Sequence, residues 1–335
     1  MSEIKAMNYT KAEVHVDLNG AGATGLTAAS ALSHLQSGSS FHEKLDRRHP
    51  LGIYNVSVNR ICRKLQKCCE IGEVLWKAGK DINALHGASE LREQFVDYLE
   101  LCIYAAAEHV DDVEAIAGCF FPDSQSYAKS QAARELKKIL KPLRDRTSAI
   151  ANAIKHNQSR LRLFSLDFRH NDELMCLHGF FIEGYRQGSV CPNPEIHQTG
   201  GTIVSVTSFL WSILVFLILT SRRLTEFLQS LSAIATGDTP SISVKPFGDA
   251  VIALARLPLY SFEEVHPFEE TRVVISGEPD TRRCLDSGLY GSIVSRWTRS
   301  SEGGMGNYKL EYEGDGASRS FQMVFPAKLK LQHWD

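Results

Sequence analysis

The chain has 335 residues, of which 43% are hydrophobic and 23% charged, and its formal net charge is −2. This composition is typical of a folded globular protein of one or two domains and excludes a largely disordered chain. No two of the eight cysteines have the two-residue gap of a zinc knuckle or redox motif, so we expect thiols in a reducing compartment. The first residues show no basic start followed by an apolar stretch, and we therefore predict a cytoplasmic protein.

Residues 1–50 are rich in glycine, alanine and serine, and we predict a partly flexible lead-in. Within it, residues 13–19 have the pattern of a strand, and 20–25 that of a glycine-rich turn opening a helix, as in a dinucleotide-binding motif. That motif also needs a second parallel strand that ends in an acid about 20 residues later. Residues 37–50 offer no such strand, so we do not predict a nucleotide site.

Helical periodicity begins near Tyr54, and we predict a helical domain over 51–160. Its first helix carries Cys62, Cys68 and Cys69 on the apolar face, where we expect them to pack rather than to bind a metal.

Two further helices are predicted in this domain. One begins near Ser89 and ends by Gly118, and the other runs from about Ser126, breaks or kinks at Pro142 and resumes as far as Ile154. Short loops between such helices favour antiparallel neighbours in a bundle.

Residues 161–240 predict a β-hairpin followed by one long apolar helix. The runs 161–168 and 174–185 surround a polar turn. His178 and Glu183 lie an odd number of positions apart in the second strand, so we expect them to point to opposite faces.

The long helix contains Thr202–Thr220, nineteen residues without a charge. That length is close to the roughly 20 residues that span a bilayer, so both a single membrane span and a buried helix are compatible with it. A polar stripe through Ser205, Ser208 and Ser212 continues beyond this segment, which favours a buried helix with one polar edge.

Residues 241–335 contain short β-type runs, including 308–313 and 318–324 around a glycine-rich turn, and predict a mainly antiparallel β region. The predicted fold class is therefore α+β. It combines an N-terminal antiparallel helical bundle, a β-hairpin with one long apolar helix, and this C-terminal region.

Charge is divided unevenly along the chain. Asp81–Asp123 carries ten acids against one arginine, a sum of −9, whereas Lys129–Arg169 carries eleven lysines and arginines against three acids, a sum of +8. Such blocks either pair within one fold or leave a basic face for an acidic partner. Our leading hypothesis is a non-catalytic interaction protein that presents the basic block to a partner protein, a second copy of the chain, or an RNA or DNA.

The densest polar cluster lies at the end of the third helix. Arg144, Ser148, Asn152 and Lys155 follow one another at helical spacing, with His156 one step around the helix. The candidate phosphate or nucleic-acid ligands are Lys137, Lys138, Lys141, Arg144, Asn152, Lys155 and Arg160, and His156 is the candidate catalytic acid or base. Alternatively, these cations complement the helix dipole and pair with acids of the preceding helix.

This helix end resembles that of the HEPN superfamily, compact helical bundles many of whose members are ribonucleases in toxin and antiviral systems. The resemblance covers about 54–160 and implies, as an alternative function, a metal-independent ribonuclease in microbial defence that uses His156 and no cofactor. The superfamily's signature places its histidine only a few residues after an arginine, whereas eleven residues separate Arg144 from His156 here. No zinc-protease-like histidine spacing is present, so we predict no metal.

Overall fold

A computed structural model describes residues 12–17, 22–24, 26–78, 88–157, 159–170, 173–186, 189–197, 204–234, 244–261, 271–276, 283–285, 299–300, 305–310, 319–324 and 328–332. Helices and antiparallel sheets together confirm the α+β class. The sequence also predicts a β run over 289–298, and this run lies outside the described residues.

The helices follow the predicted periodicity closely. They are α1 (Thr27–Ser33), α2 (Pro50–Ala78), α3 (Ser89–Gly118), α4 (Ser124–Lys129), α5 (Gln131–His156), α6 (Val206–Ser230) and α7 (Lys245–Ala255). The break predicted at Pro142 is wrong, because α5 is one unbroken helix through that residue, whereas a kink there stays a prediction. The chain breaks instead at Ser130, whose side chain caps α5 by accepting a hydrogen bond from the Ala133 N–H at 3.3 Å.

Strands lie before, between and after the helices. They are β1 (Ala12–Asp17), β2 (Gly22–Thr24), β3 (Leu161–His170), β4 (Glu173–Arg186), β5 (Ser189–Pro192), β6 (Val204–Ser205), β7 (Leu259–Ser261), β8 (Thr271–Ser276), β9 (Arg283–Leu285), β10 (Arg299–Ser300), β11 (Met305–Leu310), β12 (Arg319–Val324) and β13 (Lys328–Gln332). The predicted hairpin is formed by β3 and β4, which pair antiparallel with Ser165 opposite His178.

The described sheets have the orders β2-β1-β8-β9, β10-β13-β7, β11-β12 and β3-β4-β5, with β6 also paired to β4. Most pairs are antiparallel, as predicted for the C-terminal region, but β1 pairs parallel with β8. Residues 22–24 of the glycine-rich segment form β2, which pairs antiparallel with β1 before α1 begins at Thr27. This hairpin is the opposite of the strand-to-helix transition that a dinucleotide-binding motif requires.

Helices α2, α3 and α5 form the antiparallel bundle. Ser57 on α2 contacts His109 on α3, while Gly72, further along α2, lies against the Phe95 ring near the start of α3. On the other side of α3, Glu114 pairs with Arg144 on α5, and Tyr104 lies under Lys155. Each neighbouring pair therefore runs in opposite directions, as the short connections predict.

Helix α6 lies in the centre of the described fold, where nineteen of its 25 residues are buried. It contacts α1, α3, α5, α7 and β4, and its apolar side chains join one hydrophobic core with residues from Leu26 to Leu257. Within the described part of the chain, α6 is the one helix long and apolar enough to cross a membrane, and 83% of that apolar window is covered by protein. The structure thus favours the buried-helix interpretation of 202–220.

Polar atoms on α6 are satisfied by neighbouring helices. The Thr220 hydroxyl donates to carbonyl oxygens one turn earlier in α6, so it accepts a hydrogen bond from His109 Nε2–H at 3.0 Å. His109 Nδ1 then accepts from the Ser57 hydroxyl at 2.9 Å. Burial, followed by the nearby Arg60 charge, lowers the pKa of His109 to about 3 and keeps the ring neutral. One imidazole therefore joins α2, α3 and α6.

Helix α1 is attached to α6 in the same way. The Ala28 N–H, one of the first-turn donors that α1 cannot satisfy itself, donates to Ser221 Oγ at 2.9 Å. One turn further along α6, the hydroxyls of Thr225 and Thr27 are 2.9 Å apart. Hydroxyl groups on the polar edge of α6 thus position the first helix.

We predict that Thr220→Val lowers the free energy of unfolding by about 1–3 kcal/mol, because the buried His109 Nε2–H loses its acceptor while side-chain volume is kept. Urea unfolding measures the change. The control is Ser212→Ala, since in the described part of the chain that hydroxyl bonds only the Phe209 carbonyl of its own helix, at 2.6 Å. Equal stability of the two variants would show that the His109 bridge contributes nothing.

Candidate functional site

The outer surface of α5 carries part of the predicted basic block. Arg134, Lys138 and Lys141 are exposed and lie four and three positions apart, on one side of the helix; we call them the α5 basic face. Lys141 bonds Asp145 at 2.5 Å, and Arg134 donates to the Gln131 side chain at 3.1 Å. Lys138 has no ion pair or hydrogen-bond partner among the described residues. This half of α5 therefore presents cations to solvent.

Two other cations of the predicted set contact neighbouring helices. The Arg144 guanidinium pairs with Glu114 of α3, and the Lys137 ammonium lies 4.6 Å from the centroid of the Tyr127 ring. Both contacts use positive charge to stabilise helix packing. The basic block therefore shows both of the arrangements that the sequence suggested. Some of its cations pair within the fold, and others form an exposed basic face.

At the other end of α5, Asn152, Lys155 and His156 are exposed. The Lys155 ammonium lies 4.5 Å from the centroid of the Tyr104 ring. Positive side chains in this last turn complement the negative end of the helix dipole. Arg160 lies just before β3, and its main-chain N–H donates to Glu183 Oε2 at 3.3 Å.

The arginine and histidine of the ribonuclease alternative are not brought together. Arg144 and His156 lie on the same helix, α5, about 18 Å apart along its axis. Arg144 is also already paired with Glu114. A phosphate bound at Arg144 would therefore lie out of reach of the His156 imidazole.

The acidic block is neutralised unevenly along α3. In its second half, Arg60 of α2 pairs with Glu108 at 2.5 Å and with Asp112 at 2.7 Å, and Glu114 pairs with Arg144. These cross-helix pairs hold α3 between α2 and α5.

The first half of α3 keeps its charge. Glu90, Glu93 and Asp97 are exposed, and their spacing of three and four places them on one side of the helix; we call them the α3 acidic stripe. Within the described ranges none of the three forms an ion pair. The molecule therefore carries an uncompensated acidic surface as well as a basic one.

A polar cluster that the sequence analysis missed joins α3 to the β3–β4 hairpin. Arg92 Nη2 donates to Ser165 Oγ at 2.7 Å, and Ser165 Oγ lies 3.0 Å from His178 Nδ1. Because arginine only donates, the Ser165 hydroxyl can accept from Arg92 and donate to Nδ1, which leaves the ring proton on Nε2. Arg92 and Ser165 are 73 positions apart, so no local motif could reveal the cluster.

The surroundings of His178 indicate a structural role. Tyr260 of β7 accepts from the His178 N–H at 2.9 Å and donates to its carbonyl at 2.5 Å, while the ring meets Phe95 edge-on at 6.1 Å. His178 Nε2 is buried and has no hydrogen-bond partner among the residues that the structure describes. Glu183 instead bonds Arg162 Nε at 2.6 Å, so the two side chains serve different clusters, as their odd spacing predicts. The His178 cluster fastens α3 to the sheet.

Two further histidines, the buried His178 and the half-buried His197, resemble His109 in their electrostatics. Burial, followed by the Arg92 charge, lowers the pKa of His178 to about 4, and burial alone lowers that of His197 to about 4. His197 Nε2 accepts a hydrogen bond from the Ile182 N–H at 3.0 Å, which requires the neutral ring.

No group of three histidine, cysteine or acidic side chains among the described residues has the geometry to hold a metal ion. Cys62, Cys68, Cys69, Cys102 and Cys119 are buried free thiols. Burial raises the pKa of the first three, so they stay protonated and pack in the core as small apolar groups.

Comparisons with protein-family models, with curated proteins and with solved structures find no match.

We predict that the protein loses stability as the pH falls from 6.5 toward 4. The pKa values of His109, His178 and His197 all lie below the ordinary 6.5, so in this window the unfolded chain binds more protons than the folded one. Each histidine contributes up to about 1.4 kcal/mol per pH unit. Urea unfolding at several pH values gives the slope, which His197→Asn should reduce by about one proton. A flat profile would contradict the assignment.

We also predict that Ser165→Ala destabilises the protein by about 1–3 kcal/mol, because Arg92 and His178 lose the hydroxyl they share. Thermal and urea unfolding measure the loss. The control is Ser230→Ala, since the one bond of that hydroxyl among the described residues is to the Phe227 carbonyl of its own helix, at 2.7 Å. If the two variants are equally stable, the cluster does not hold α3 to the sheet.

Proposed function

We propose that this chain is a non-catalytic interaction protein that binds an acidic protein surface through the α5 basic face. The observation that carries the proposal is the exposure of Lys138 and Arg134, neither paired with a carboxylate among the described residues. Helix α5 is anchored by Arg144 and Lys155 to α3, so the cations are presented from a rigid element.

The composition of the face supports a protein partner over a nucleic acid. Exposed Glu135 and Asp145 lie among the cations of α5, whereas strong nucleic-acid binding favours an extended, uninterrupted basic field. Ile139, beside Lys138, is 37% exposed and supplies an apolar contact. Mixed charge around a small apolar centre is typical of protein interfaces.

The ribonuclease alternative lacks comparable support, because Arg144 is paired and distant from His156. The membrane-tethered alternative is disfavoured by the burial of α6 among the other helices. Each of these two alternatives predicts a different experimental result from the interaction proposal, and the test below includes both.

We predict that the full-length protein binds a fluorescent poly-glutamate peptide at low salt, and that Arg134→Glu/Lys138→Glu weakens binding about tenfold or more, because attraction becomes repulsion. Fluorescence anisotropy at low and physiological ionic strength measures the affinities. The control, Arg48→Glu/Arg63→Glu, makes the same change in net charge at exposed cations outside α5.

Equal loss in the control, or no binding of the peptide, would overturn the proposal. A labelled single-stranded RNA is titrated in parallel. Binding of RNA alone would overturn the protein-partner assignment in favour of nucleic acid, and cleavage that His156→Ala abolishes would establish the ribonuclease. A chain recovered only with detergent would favour the membrane-tethered alternative.

A further inference from the structure

The fold places the α3 acidic stripe and the α5 basic face at opposite ends of one helical hairpin. Helices α3 and α5 are antiparallel, with Tyr104 beside Lys155 and Glu114 beside Arg144. The α3 acidic stripe precedes Tyr104, whereas the α5 basic face precedes Arg144 and so extends beyond Glu114. The two charged surfaces thus lie on either side of the paired middle of the hairpin.

This separation prevents the two surfaces from neutralising each other within one molecule. From Asp97 to Glu114 the helix axis covers about 25 Å, and the basic face begins still further along. The Debye length at physiological ionic strength is only about 8 Å, so the intramolecular attraction is screened. The acidic stripe and the basic face can therefore neutralise each other only between two molecules.

The surfaces complement each other in size, sign and apolar content. Each consists of three charges within eight residues, which is about 10 Å of helix. Leu101, one turn beyond Asp97, is 37% exposed, as is Ile139 beside Lys138. Each charged surface therefore borders an exposed aliphatic side chain that a partner could cover.

A two-fold rotation axis perpendicular to the hairpin places the acidic stripe of each copy against the basic face of the other, so that both contacts form at once. It reverses the second molecule, so the acidic end of each copy faces the basic end of the other. Such an interface is closed and stops at a dimer. The net charge of −2 leaves little general repulsion between copies.

We propose that the acidic partner of the α5 basic face is the α3 acidic stripe of a second copy of this chain. The inference rests on the proposed function, because it names the protein surface that the basic face binds. Paired charges in the middle of α3 and α5 position the helices, and the charged surfaces at their ends join two molecules reciprocally.

Sedimentation velocity of the full-length protein over a range of concentrations and ionic strengths tests this proposal. The variants are Arg134→Glu/Lys138→Glu, which reverses the basic face, and Glu93→Lys/Asp97→Lys, which reverses the acidic stripe. The control is again Arg48→Glu/Arg63→Glu. Circular dichroism and thermal unfolding establish that each variant is folded, which is expected because all the substituted side chains are exposed.

We expect a wild-type dimer that dissociates as salt is added, as does the control. Each reversal should raise the dimer dissociation constant about tenfold or more. An equal mixture of the two reversed variants should restore the dimer, because acid meets base at both contacts again. Within each reversed variant the two surfaces carry the same sign of charge, so two copies of one variant repel each other. A dimer that forms in the mixture is therefore a heterodimer of the two variants.

A wild-type protein that stays monomeric at low salt, or a reversed variant that associates as the wild type does, would overturn the second-copy assignment. Failure of the mixture to restore the dimer would do the same. The proposed function is tested separately, by the binding of poly-glutamate. If the wild type is monomeric yet binds poly-glutamate through Arg134 and Lys138, the interaction proposal stands and another acidic protein is the partner; if neither occurs, both proposals fail.

Discussion

The arrangement of this molecule depends on the burial of α6. Nineteen of its 25 residues are removed from solvent, and burying its apolar side chains is the main favourable contribution to the fold. Because α6 also carries buried hydroxyls, its neighbours must supply hydrogen-bond partners as well as apolar contacts. His109 does so from α3 while bonding Ser57 of α2, so a single neutral ring fixes the positions of three helices.

The packing of α3 and α5 against this core determines where their charged side chains lie. With their apolar sides turned inward, their acids and bases occupy the outer surface, and the antiparallel packing decides which of them meet. Glu114 and Arg144 meet, and Tyr104 receives Lys155. The ends of the two helices lie too far apart to pair, and this geometric mismatch leaves the charged surfaces from which we infer function.

Local patterns allowed much of the fold to be predicted. The limits of α3 at Ser89 and Gly118 and the β3–β4 hairpin were expected from periodicity, because side-chain spacing reports which side of an element is buried. The break at Pro142 was wrong. A proline removes one helical hydrogen bond, here the one to the Lys138 carbonyl, and that turn of α5 is exposed, so water can satisfy the oxygen and the helix continues.

The sequence by itself determined the α+β class, the order of the elements and the two blocks of opposite charge, because each is a property of neighbouring residues. Only the tertiary structure decided which charges are paired. It assigned Arg144 to Glu114 and left Lys138 exposed, although both belong to one basic run. It also assembled Arg92, Ser165 and His178 across 73 and 13 positions of chain. Such contacts depend on how helices and strands pack, and no local spacing encodes that packing.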